Sequence, residues 1–183
     1  MDTDLTSSKS LALYGANTYD GGTTVVGVAD RANNVTLGLG NNSALGTGSL
    51  TFSGGGTNTI RGEKSSASTD TSRTIANDIA INSGVTLNVD AKNSLDMVLN
   101  GVISGGGALI KTNATTLTLG GANTYAGGTT VNGGTLAYGV ADALSSGAVT
   151  VNGSGAVLDI ATFSDTVGAV TLTTGSITGT RES

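Results

Sequence analysis

Along most of the chain, Val, Leu or Ile alternates with Thr, Ser or Asn in short runs, and Gly or Asn separates one run from the next. Alternation with period two buries one face of an extended segment and wets the other, so each run predicts a strand. The expected strands cover residues 35–39, 49–53, 79–82, 85–89, 95–99, 116–119, 149–151 and 170–173. No window repeats its apolar residues at three- and four-residue spacing, and the Gly and β-branched content weakens any helix. The pattern predicts an all-β chain with almost no helix, a single domain over residues 1–183.

Short strands that return after tight turns build a sandwich, a barrel or a solenoid, and an internal repeat chooses among these. Residues 15–25 read GANTYDGGTTV and residues 121–131 read GANTYAGGTTV, with only Asp20 against Ala126 between them. A second echo pairs residues 43–52, SALGTGSLTF, with residues 142–151, DALSSGAVTV. Recurrence of one unit marks a solenoid, in which each coil touches its neighbours and a side chain stacks above its equivalent from rung to rung. The first pair lies 106 residues apart and the second 99, so seven extra residues separate the two motifs of the first copy. Surface turns accommodate such an insertion. At about 20–25 residues per coil the chain makes about eight coils, and a strand spacing of about 4.8 Å gives a rod about 40 Å long. Open strand edges at the ends of such a rod invite end-to-end self-association.

Within the eleven-residue motif, Gly21, Gly22, Gly127 and Gly128 are expected to turn the chain. Asn17 and Asn123 are expected to satisfy backbone groups at the turn, and Tyr19 and Tyr125 to pack over a corner and hydrogen-bond it. These eight residues read as structural.

Composition narrows the interior. The chain has no Trp, two Phe and four Tyr, so burial falls to Val, Leu, Ile and Ala. Thirty Gly supply turns, and the absence of Pro leaves every backbone N–H able to join a ladder. A hydrophobic fraction of 37% with only 11% charged residues argues against disorder. Without Cys there is neither a disulfide framework nor thiolate chemistry. A net charge of −5, with eight scattered Lys and Arg, argues against a nucleic-acid partner. No run of about 18 apolar residues is present, so this segment is not expected to insert in a membrane, and residues 1–10 lack the regions of a signal peptide.

Residues 101–136, GVISGGGALIKTNATTLTLGGANTYAGGTTVNGGTL, closely resemble the autotransporter passenger-associated β-strand repeat of bacterial cell-surface proteins. Gly101, Ile103, Ser104, Gly105, Leu109 and Lys111 match its first part; Leu117, Leu119, residues 121–125 and residues 127–131 match its second. Asn113 and Thr115 stand where the repeat usually has Gly, so the turn after Lys111 is expected to differ in detail. Residues 11–25 match only the second part. The resemblance implies a single-stranded right-handed parallel β-helix in the exported passenger of a type V secretion system. It implies a location at the bacterial surface or in the medium, a role as stalk, scaffold or adhesin, and a host or neighbouring-cell protein or glycan as partner. The translocator barrel of such a system is not in this sequence.

Candidate chemistry is sparse. The absence of His removes Ser-His-Asp and Cys-His catalysis and most zinc sites. Some β-helix enzymes act on acidic polysaccharides with grouped surface acids and bases, which directs attention to Asp78, Asp90, Lys92 and Asp96. Asp is also a common turn residue, and the expectation is no catalysis, no cofactor and no metal. A polysaccharide-active enzyme is the first alternative and a fibre-forming solenoid the second. Residues 54–73 interrupt the strand pattern and carry Arg61, Glu63, Lys64, Asp70 and Arg73, the densest charge in the chain. They read as a projecting polar loop, the place where a rigid solenoid would carry a binding site, and deleting residues 63–70 is expected to leave the strand content intact.

Overall fold

A computed structural model describes residues 9–29, 35–64, 68–90 and 95–180. Those residues form an all-β parallel solenoid of about seven turns without helix, the architecture the repeat predicts. The first two coils carry two strands each: β1 (Lys9–Leu13) and β2 (Thr23–Val26), then β3 (Val35–Leu39) and β4 (Leu50–Ser53). The next coils carry three: β5 (Gly56–Gly62), β6 (Ser72–Ile75) and β7 (Ile79–Ile81), then β8 (Val85–Asp90), β9 (Asp96–Leu99) and β10 (Ile103–Ser104). They are followed by β11 (Ala108–Thr112) and β12 (Thr116–Leu119), by β13 (Thr129–Val131) and β14 (Thr135–Tyr138), and by the long strands β15 (Val149–Asp159) and β16 (Val170–Thr178). All eight strands expected from the alternation are present, with ends shifted by at most one residue for six of them. The runs at 149–151 and 170–173 prove to be the first parts of β15 and β16.

Every strand pairing is parallel, and the register is read from the core columns. On the first ladder Leu11, Leu37, Ile60, Val89, Lys111, Val131, Val151 and Leu172 stack one above another. On the second, Arg73, Met97, Leu117, Leu136, Leu158 and Ile177 do the same. The third face is the four-stranded sheet of β2, β4, β7 and β10, with Leu50, Ile79 and Ile103 in line. Between the three faces lies a narrow core of Val, Leu and Ile with Phe52 and Tyr125 fully enclosed. Each inward position sits within van der Waals reach of its equivalents about 4.8 Å above and below, which explains why rings are so few.

The two copies of the motif do not stack on one face. Leu11 and Leu13 correspond in the repeat to Leu117 and Leu119, yet β1 lies on the first ladder and β12 on the second. Likewise β2 lies in the four-stranded sheet, whereas its counterpart β13 lies on the first ladder. The second ladder begins at β6, in the coil from β5 to β7, and β9 and β12 stack on it. The first ladder runs unbroken through β3, β5, β8 and β11, so the coils keep their alignment and it is the motif that falls on a different face in the second copy.

The added strand comes from the segment expected to project as a loop. Residues 56–62 form β5 and residues 72–75 form β6, so that expectation is corrected for the described part of 54–73. The misreading has a physical source: the apolar alternation in β5 is carried by Asn58 and Ile60, and in β6 by Arg73 and Ile75. Polar side chains at inward positions hid the period.

Candidate functional site

The eleven-residue motif performs the same local task in both copies. Asn17 Nδ2 donates to Ala44 O at 2.7 Å and Asn123 Nδ2 to Ala143 O at 2.6 Å, each reaching the Ala of the second echo one coil further on. Asn123 Oδ1 also accepts from Ile103 N at 2.7 Å, so this side chain ties three successive coils. Tyr19 Oη lies 2.9 Å from Thr23 Oγ1, and Tyr125 Oη lies 2.5 Å from Thr129 Oγ1. Burial separates the copies: Tyr19 is 39% exposed and Tyr125 is fully enclosed. Burial, before the hydrogen bonds that oppose it, pushes the Tyr125 phenol up to about 12.

The glycines differ in their use. Gly22 has φ +78, which an L side chain rarely adopts, while Gly21 has open space around it. A Cβ on Gly127 would lie 2.4 Å from Gly107 O and one on Gly128 2.7 Å from Ala148 O, so in the second copy close approach of neighbouring coils fixes the residue.

The charged segment is divided between inside and outside. Arg73 is 3% exposed and occupies the first core position of the second ladder. Its guanidinium donates to Leu39 O, Asn42 Oδ1, Glu63 O and Asp70 Oδ2, each at 3.1 Å. Where β6 begins a new ladder there is no strand beneath it, and this side chain meets the backbone of the previous coil instead. Glu63, 6% exposed, accepts from Arg61 Nε at 2.5 Å. Asp70 is held below the ordinary carboxylate range by Ser68 first and Arg73 second. Lys64 is partly exposed at the edge of the described residues. The five charges thus form a polar junction in the wall, with Arg73 its buried centre.

Each described carboxylate flagged for catalysis is bonded to a neighbouring coil. Asp78 Oδ1 accepts from Val102 N at 2.8 Å, Asp96 Oδ1 accepts from Thr116 N at 2.8 Å, and Asp90 accepts from Asn113 Nδ2. Lys92 lies outside the described residues. Among the described residues, no group of three His, Cys, Asp or Glu side chains is placed to hold a metal ion.

Alternation did not flag two buried groups, Lys111 and Tyr138, or the half-buried Asp165 beside Tyr138. Lys111 is fully enclosed, its ammonium donating to Thr112 O, Asn113 O and Gly133 O at 2.5, 2.8 and 3.2 Å. Burial pulls it down to about 8 against the attraction of Asp90 and Asp96. Tyr138 is 6% exposed, and burial together with the Asp165 carboxylate drives its phenol far up. Asp165 Oδ2 accepts from Leu144 N at 2.8 Å and borders a shallow groove of about 340 Å³ with Asn123, Asp142 and Ser146. Besides its place in the repeat, the sequence sign of Lys111 was a polar residue where the period of β11 calls for an apolar one; Asp165 lies between strands, where no period applies.

The unit defined by these bonds runs from a Leu-x-Lys strand through a Thr-Leu-x-Leu strand to the Asn and Tyr turn. The passenger-associated-transport-repeat family matches residues 109–137, which span that unit, and residues 6–27, which hold the first motif. The chain carries passenger-associated-transport repeats. No curated protein and no solved structure matches the chain. In the second repeat Lys111 donates to three carbonyls, Asn123 bonds two neighbouring coils and Tyr125 bonds Thr129.

Proposed function

We propose that the protein is a scaffold or adhesive module in the exported passenger of an autotransporter-type bacterial surface protein, acting at the cell surface without catalysis. The pair of passenger repeats carries this reading. The bonding of Asp78, Asp90 and Asp96 across coils supports it, because their role in holding turns accounts for acids that would otherwise suggest a polysaccharide-cleaving groove. A rigid rod of stacked coils holds whatever is attached to its end away from the membrane, and its partners are host or neighbouring-cell proteins or glycans met along its faces.

The test places residues 1–183 in the passenger position of an autotransporter whose own passenger has been deleted, in a bacterium that does not aggregate. Protease-accessible display at the cell surface with faster settling or binding to host-cell matrix is the expected result. Display that leaves settling and matrix binding at the level of the empty carrier would remove the adhesive part and leave the stalk. Release of oligosaccharides from acidic polysaccharides by the purified chain would overturn the non-catalytic reading.

A further inference from the structure

Seven of the eight residues in the first core column are Leu, Ile or Val, and the eighth is Lys111. A lysine stem can replace an apolar side chain in such a column, but its ammonium must then find acceptors. It finds three main-chain carbonyls, two from its own turn, Thr112 O and Asn113 O, and one from the turn of the next coil, Gly133 O. Three donors meet three acceptors, which uses the full capacity of the group. Both turns are conformationally demanding: Asn113 has φ 63 and Gly134 has φ 62. A Cβ on Gly134 would come within 2.3 Å of Asn113 O and of Thr115 O, so the two turns are in direct contact. From the coil below, Asp90 accepts from Asn113 Nδ2, fixing the same turn from outside. The charged groups acting on the ammonium are Asp90 of β8 and Asp96 of β9. Asn113 and Thr115 replace the glycines usual in the repeat at this turn. Asn113 still supplies the left-handed conformation, and the Thr115 hydroxyl is left buried without a partner.

We propose that the carbonyl oxygens of Thr112, Asn113 and Gly133 form a primary-ammonium site, filled from within by Lys111, that clamps the turns of two successive coils. The ligand class is a compact cation with three N–H donors on an unbranched aliphatic stem. The site holds the turns through directed bonds, in place of the apolar stacking that holds the rest of the column.

Two variants of the full chain test it. Lys111→Met keeps an unbranched stem of similar volume and removes the donors. Amide exchange at residues 113–115 and 133–135 is expected to accelerate about tenfold while exchange in β8 and β11 stays near native. Lys111→Ala removes the three carbons and nitrogen of a propylammonium ion, and adding propylammonium chloride at about 0.1 M is expected to restore at least half of the lost urea midpoint. Equal concentrations of 1-propanol and of sodium chloride serve as controls. Rescue by 1-propanol as good as by propylammonium would show that only volume matters, and unchanged exchange in Lys111→Met would show that the carbonyls need no cation. Either result overturns the proposal. If Lys111→Ala does not fold alone, refolding in propylammonium against refolding in 1-propanol gives the same decision.

Discussion

Replacing Arg73 by Met tests whether the charged junction is part of the wall. The guanidinium makes four hydrogen bonds, but the acceptors lose unequally when it is removed. Leu39 O still accepts from Glu63 N at 2.9 Å, and Asn42 Oδ1 still accepts from Thr74 N at 3.1 Å. The Asp70 side chain is 49% exposed and turns to water. Glu63 O, in a residue that is 6% exposed, loses its donor. An orphaned buried acceptor costs about 1–3 kcal/mol, each further bond lost contributes about 0.5–1.5, and relief from desolvating the cation offsets part of this. The expected loss is about 2 kcal/mol. With a urea slope of about 2 kcal/mol per molar, the midpoint of unfolding followed by circular dichroism moves down by about 1 M. Arg73→Lys, which cannot reach four acceptors arranged around a plane, is expected to fall between the two. A Met variant whose midpoint lies at or above the native one would refute the reasoning, because burial of the charge would then outweigh its bonds. The same geometry reverses the expectation for deleting residues 63–70: with Glu63 O and Asp70 gone and only Thr71 left between β5 and β6, the strand signal is expected to fall.

Gly134→Ala is expected to lower stability by about 2–4 kcal/mol in the same urea assay, since it adds left-handed strain to a clash with Asn113 O and Thr115 O. Gly21→Ala, with open space at its Cβ, is expected to change stability by less than about 0.5 kcal/mol. Stability against pH should show two opposed slopes. Lys111 titrates near 8 in the fold and near its ordinary 10.5 when unfolded, so between these values the unfolded chain holds more protons and stability rises with pH. Tyr125 titrates near 12 in the fold against 10 unfolded, so above 10 the unfolded chain loses its proton first and stability falls. Urea midpoints at several pH values check both, with Lys111→Met expected to remove much of the rise and Tyr125→Phe part of the fall.

Much of this protein was legible before any coordinates. Alternation of Val, Leu and Ile with Thr, Ser and Asn located eight strands, because the pleat has period two and the core excludes water. The doubled motif identified a solenoid, because stacked coils present the same environment repeatedly and select similar residues for it. Its Asn and Tyr could be read as turn residues on chemistry alone. Sequence could not place the second copy, since the coils between the copies differ in length and the motif therefore falls on a different face, and strand count per coil depends on which residues pair. It could not reveal that Arg73 and Lys111 point inward, because a cation in a core column is permitted only by carbonyls that neighbouring coils bring within reach. Local period determines which residues extend. Pairing between coils decides which face they join and which charges they can enclose.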